Sequence, residues 1–111
     1  MKDFTFEYDA CTYTIKAGQT AQENWNLIDE SSDDDIWFHV EDLPSCHVVL
    51  KNDGKNKLHK SVIKYCANIC KEGSKRKHAK NVRIIYTEIK NVKKGKDVGS
   101  VTVSSIRHIK V

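Results

Sequence analysis

Trp37, His39 and His47 stand out as the side chains best suited to meet a ligand: two imidazoles and an indole set in short apolar runs, Ile36-Trp37-Phe38-His39-Val40 and Cys46-His47-Val48-Val49-Leu50. Flat rings of this kind stack on unpaired bases, and imidazole nitrogens hydrogen-bond to bases or sugars. A second set is cationic: Lys57, Lys60, Lys64 and Lys71 at helical spacing, then Lys75, Arg76 and Lys77, then Lys93, Lys94 and Lys96. Ammonium groups so arranged neutralise successive phosphates and release condensed counterions, which gives affinity without sequence preference. Other chemistries have atoms but no motif. His39 and His47 beside Ser45 or Cys46 hold a nucleophile and a base, yet no nucleophile elbow is present. Asp33, Asp34 and Asp35 read as a loop and cap in preference to a Mg2+ site. Cys46, Cys66 and Cys70 form no Cys-x2-Cys knuckle, so reduced, mostly buried thiols are expected where zinc is the rival reading. With no phosphate-cradling glycine loop either, no cofactor is implied and catalysis is the minor alternative.

These side chains need elements to carry them. Phe4–Tyr8 and Thr12–Lys16 alternate as strands around a turn at Asp9-Ala10-Cys11, and Thr20 with Glu23 has capping-box spacing for a short helix that Ser31-Ser32-Asp33-Asp34 ends. Residues 36–40 and 46–50 read as a hairpin joined by Glu41-Asp42-Leu43-Pro44-Ser45. With Val40 opposite Cys46, His39 falls opposite His47 and Trp37 opposite Val49. Ile36, Phe38, Val40, Cys46, Val48 and Leu50 then share an apolar face, and Trp37, His39, His47 and Val49 the other, which is either a binding platform or the floor beneath another element. Two facing imidazoles call for an anion or carboxylate near them.

From about Lys57 the apolar period changes to 3.6 and predicts a helix to Gly73, with Leu58, Val62, Cys66, Ile69 and Cys70 inward and the lysine row opposite. Val82–Thr87 reads as a strand, and residues 98–103 and 106–111 as a closing pair around Ser104-Ser105. The whole is expected to be one α+β domain over residues 1–111, a mainly antiparallel sheet of β-hairpins with two helices packed on it.

Charge sharpens the functional reading. The chain has 111 residues and a net charge of only +4, but residues 1–50 set two lysines against eleven acids while residues 51–111 set seventeen Lys and Arg against four. That asymmetry points to a polyanionic partner for one face. No apolar run approaches the roughly 20 residues of a membrane span, and the first residues lack the layout of a secretory signal, so no membrane role and a cytoplasmic location are expected.

Several blocks resemble the NFACT-R family: Ala21-Gln22-Glu23-Asn24, Asp35-Ile36-Trp37-Phe38-His39-Val40, Pro44-Ser45-Cys46-His47-Val48-Val49-Leu50, Lys80 to Thr87, Val92-Lys93-Lys94 and Asp97-Val98-Gly99-Ser100-Val101. Ser45 and Cys46 stand where that family often has Gly and Ser. The resemblance implies a standalone RNA-binding module, with tRNA or ribosomal RNA as ligand and a place in translation or ribosome-associated quality control. His39, His47, Lys93, Lys94 and Gly99 carry over by position, joined by Trp37 from the strand geometry. DNA is the alternative polyanion. Two further readings are an adaptor that docks ribosomal proteins through the acidic half, and an RNA-modification enzyme or subunit using the histidine pair.

Overall fold

The computed structural model describes residues 1–52 and 58–111. Among the described residues eight strands and two helices follow one another as β1 (Lys2–Tyr8), β2 (Cys11–Ala17), α1 (Ala21–Glu30), β3 (Ile36–Val40), β4 (Val48–Leu50), α2 (Lys60–Glu72), β5 (Arg83–Glu88), a 3-10 turn (Ile89–Asn91), β6 (Val92–Lys94), β7 (Val101–Val103) and β8 (Arg107–Lys110). Six strands form one antiparallel sheet in the order β1-β2-β4-β3-β5-β8, and β6 pairs with β7 in a small sheet of two. The expected α+β class and antiparallel hairpin sheet are what the molecule adopts.

The opening hairpin closes on Asp9 and Ala10, both at positive φ, with Tyr8 opposite Cys11. Two consecutive residues in that region suit the right-handed twist of the flanking strands. Helix α1 begins where its capping-box spacing predicts, the Glu23 N–H donating to the Thr20 hydroxyl at 3.1 Å, although the Glu23 carboxylate accepts from the Gln19 N–H at 2.9 Å, one residue before the cap. β3 pairs with β4 in the expected register, Trp37 opposite Val49, but β4 is only three residues long and His47 lies just before it.

Alternation along β3 sends its side chains into two cores. Ile36, Phe38 and Val40 join Ile15, Val48, Leu50 and Ile84 beneath the Val62, Ile63, Cys66, Ala67 and Cys70 face of α2. Trp37 faces the other way and packs with Val49 beneath Leu27 and Ile28 of α1 and Ile89 and Val92. Helix α2 therefore covers one face of the sheet, while α1 and the small sheet cover the other.

Two expectations need correction. Helix α2 starts at Lys60, with His59 as its N-cap accepting from the Ser61 N–H at 3.0 Å; the expected start at Lys57 lies outside the described residues. The closing pair of strands does not form. β7 joins β6 and β8 joins β5, because Val101 and Val103 belong to the Trp37 core while Ile109 packs on the α2 side. A hairpin between them could serve only one of those cores. Of the two readings left open for the side of the sheet carrying Trp37, the structure adopts the packed one. That side is the floor of a second core.

Candidate nucleic-acid interface

The end of the sheet where β3 turns toward β4 is the place where segments from distant parts of the chain converge. Gly18 leaves β2 there, and its N–H donates to the His47 carbonyl at 2.9 Å. The His47 N–H in turn donates to Asn24 Oδ1 of α1 at 3.2 Å. Both backbone groups of His47 are thus held, one by a strand end and one by a helix side chain. A Cβ at position 18 would stand 2.4 Å from Asn24 Oδ1, so only glycine lets the three segments meet.

The ring of His47 is fixed as firmly. The Trp37 indole N–H donates to His47 Nδ1 at 3.1 Å, with the rings edge to face at 5.4 Å. His39 stacks on Trp37 at 5.6 Å with an interplanar angle of 9°, and meets the His47 ring edge to face at 5.1 Å. His39 Nδ1 lies 2.7 Å from the Val40 carbonyl; a carbonyl can only accept, so Nδ1 carries the proton. Burial pushes the His47 pKa down to about 3, with the neighbouring His39 adding to the effect, and burial likewise lowers His39, partly offset by the Val40 carbonyl. Both rings are neutral near pH 7. The carboxylate expected beside the pair is not found among the described residues, since desolvation removes the charge it would have answered.

Over this pair opens a cleft of about 1190 Å3. Its walls are Gln19, Thr20, Ala21 and Asn24 at the start of α1, Pro44 to His47, the Tyr65, Asn68, Ile69 and Glu72 side of α2, and the Gly99 turn, with Lys2, Lys75 and Lys77 as its cations. Gly99 has φ +88, and a Cβ there would lie 2.8 Å from the Ala21 Cβ, so the turn closes against α1 because it is glycine.

Ser45 is not at positive φ; the left-handed residue of the β3–β4 loop is Asp42. The Ser45 hydroxyl accepts from the Val40 N–H and donates to the Cys46 carbonyl, so it is turned away from both imidazoles. The Cys70 thiol beside Cys46 holds Cys46 below the usual thiol range, whereas burial drives Cys66 up to about 12. Among the described residues no three His, Cys, Asp or Glu side chains converge as a metal site requires. Asp35, buried, accepts from the Ser32 and Asn52 N–H groups and pairs with Lys51, which makes it an anchor of the loop before β3.

A family model for the NFACT protein RNA binding domain matches residues 2–105. The chain belongs to that family. Among its relatives, mouse coiled-coil domain-containing protein 25 is 35% identical over 109 residues, covering 93% of this chain and 52% of its own. The Dictyostelium discoideum homologue of that protein is 36% identical over 105 residues, covering 88% and 50%. The Rqc2 homolog RqcH of Bacillus subtilis is 35% identical over 95 residues, 83% of this chain and 16% of that one. The chain thus spans about half the length of the coiled-coil relatives. The C-terminal part of the fibronectin/fibrinogen-binding protein from Streptococcus suis shares the fold, with a TM-score of 0.84 at 24% identity over all of this chain and 45% of its own.

Within this NFACT domain the residues singled out from sequence separate into groups. His39, His47, Lys75, Lys77 and Gly99 meet in the cleft, and Arg76 is exposed beside them. Lys60 and Lys64 are exposed on α2 and Lys71 is half-buried, and none of the three lines the cleft; Lys60 lines a separate groove with Ile63, Tyr86, Glu88 and Arg107. Lys93, Lys94 and Lys96 lie on or beside β6, whose Val92 packs in the core on the opposite face of the large sheet from α2, and none of the three lines the cleft. Lys94 is also occupied, paired with Asp29 at 2.6 Å and 5.3 Å from the Trp25 ring centre. Lys57 lies outside the described residues. Trp37 is 1% exposed and cannot offer a face to a base; its role is to pack and to orient His47. Sequence reading missed Asn24, Lys2 and Gly18. The signal for Asn24 was there: it shares the inward stripe of α1 with Leu27 and Ile28, where a polar side chain needs a partner.

Proposed function

We propose that this NFACT domain binds RNA in the cleft over the histidine pair, with tRNA or ribosomal RNA as the ligand, in translation or ribosome quality control. The observation that carries the reading is the meeting of unmatched cations with neutral hydrogen-bonding rings in one open cleft. Carboxylates of the acidic half are used inside the molecule: Glu23 with the N-terminal ammonium, Asp29 with Lys94, Asp35 with Lys51, and Glu41 with Arg83 and His108. Among the described residues none pairs with Lys60, Lys64, Lys75 or Lys77. These pairs thus engage four of the eleven carboxylates of residues 1–50, none of them with these lysines, which stay available to an outside anion. The family's description as an RNA binding domain, and the RqcH relationship, support the ligand class.

Fluorescence-anisotropy titration of tRNA, a single-stranded RNA and duplex DNA at two salt concentrations tests this. About five phosphate contacts give a log K against log salt slope of roughly −3.5 to −4.5. Lys75→Glu with Lys77→Glu should weaken binding strongly and make the slope shallower by about 1.5, at roughly 0.7–0.9 per lost phosphate contact. The same reversal at Lys93 and Lys96 should change both far less. No binding to any of the three ligands at low salt would overturn the proposal.

A further inference from the structure

The two imidazoles present opposite hydrogen-bonding characters, and their tautomers follow from their partners. His47 Nδ1 accepts the Trp37 indole proton, so in the neutral ring Nε2 must carry the hydrogen. His39 Nδ1 donates to the Val40 carbonyl, so its Nε2 is left as a bare lone pair. Among the described residues neither Nε2 has a partner. His47 is 3% exposed, yet no fully enclosed side-chain nitrogen or oxygen is left unpaired, so its Nε2–H is not sealed in; the space it reaches is the cleft that both rings line. A buried donor and an acceptor on an adjacent ring, whose centres are 5.1 Å apart, thus wait on a ligand.

We infer that this pair recognises a ribose 2′-hydroxyl, so that the cleft selects RNA over DNA by its sugar. The inference rests on the RNA-binding reading above. A hydroxyl is donor and acceptor on a single atom: it would accept from His47 Nε2–H and donate to His39 Nε2. A base edge puts its donor and acceptor on separate atoms in one plane, and a phosphate oxygen only accepts, which leaves the His39 lone pair facing a negative oxygen. The surroundings fit a sugar also. Lys2, Lys75 and Lys77 line the same cleft and are placed for the phosphates on either side of it. Neutrality of both rings is what keeps the two roles distinct, because a protonated His39 would offer a second donor and lose the distinction.

The test uses the intact chain and three single-stranded oligonucleotides of one sequence, made with ribose, 2′-deoxyribose or 2′-O-methylribose. The wild-type protein should bind the ribose form on the order of tenfold more tightly than the other two. His47→Asn is the informative variant. Its Oδ1 stands near the place of Nδ1 and keeps an acceptor for Trp37, while nothing replaces Nε2–H. It should bind all three oligonucleotides with the affinity that the wild type shows for the deoxyribose form. His39→Phe, which keeps the stack on Trp37 but has no lone pair, should do the same and decides the matter if His47→Asn fails to fold. Equal wild-type affinity for ribose and deoxyribose, a preference that follows base sequence when the sugar is held constant, or a ribose preference that survives in either folded variant overturns the inference. Failure to bind any of the three at low salt overturns the RNA reading beneath it.

Discussion

The two faces of β3 serve different ends with neighbouring residues. Toward α2, Ile36, Phe38 and Val40 enter a core that is apolar throughout. Toward α1 and the small sheet, Trp37 enters a core with a polar margin, where its indole N–H holds a histidine that opens on the cleft. The first face stabilises the fold through area removed from water. The second does so too, but also sets the tautomer of a ligand-facing ring. Packing and recognition share a residue on one side of the strand and are separate on the other.

The comparison can be broken first at Trp37. Trp37→Ala should cost about 3–5 kcal/mol, the same range expected of Phe38→Ala on the other face. Urea denaturation of both variants reads this, and a loss below about 1 kcal/mol at Trp37 would mean that its face is a surface after all. Acid sharpens the comparison next. His47 takes up a proton near 6.5 in the unfolded chain but only at about 3 in the folded one. The unfolded state therefore binds protons first as the pH drops. This part of the stability is whole above pH 6.5 and is lost progressively toward pH 3. The Trp37 side of the sheet should confer that acid sensitivity, and His47→Asn should flatten the curve of denaturation midpoint against pH over this window.

A smaller effect is expected from Trp37→Phe, which keeps most of the ring but leaves His47 Nδ1 without its donor, at about 1–3 kcal/mol for the unpaired buried acceptor. The smallest concerns Cys46, which lines the cleft, is half-buried and has its thiol held below the ordinary range by Cys70. In a Cys11→Ser background iodoacetamide should modify Cys46 ahead of Cys66 and Cys70, and bound RNA should slow that reaction a few-fold, as mass spectrometry of timed samples would record. Unchanged labelling of Cys46 in saturated complex would place the RNA elsewhere.

Much of the fold was legible because local rules and burial agree. Thr20 and Glu23 fix the start of α1, the 3.6 period fixes the buried side of α2, and alternation fixes which residues of β3 share a face. The end of the chain was not legible. Residues 101–103 and 107–110 have equal claims as strands, and only the identity of the core each serves decides their partners, which is tertiary information. At the site, His39, His47 and Gly99 could be found from residue type and block resemblance. The lysines could be counted but not sorted, because a charge in the sequence does not say which side of the sheet it stands on, nor that Lys94 is already paired with Asp29. Trp37 was placed on the correct face, but period-2 alternation does not say whether anything covers that face.

The passage from β7 to β8 joins the two layers in a further sense. The Thr87 hydroxyl lies 3.2 Å from the Ser104 and Ser105 carbonyls and accepts from the Asn91 side chain at 3.0 Å, so the crossover is tied to β5. The strand before it completes the small sheet and the strand after it completes the edge of the large one. The two layers are tied at one point through Thr87. The molecule should thus lack a partly opened form in which one layer has melted alone, and amide protons of β6 and of β5 should exchange with solvent as members of one cooperative unit. A ligand held at the cleft, which draws its walls from residues 2 to 99, would slow that exchange across both layers at once.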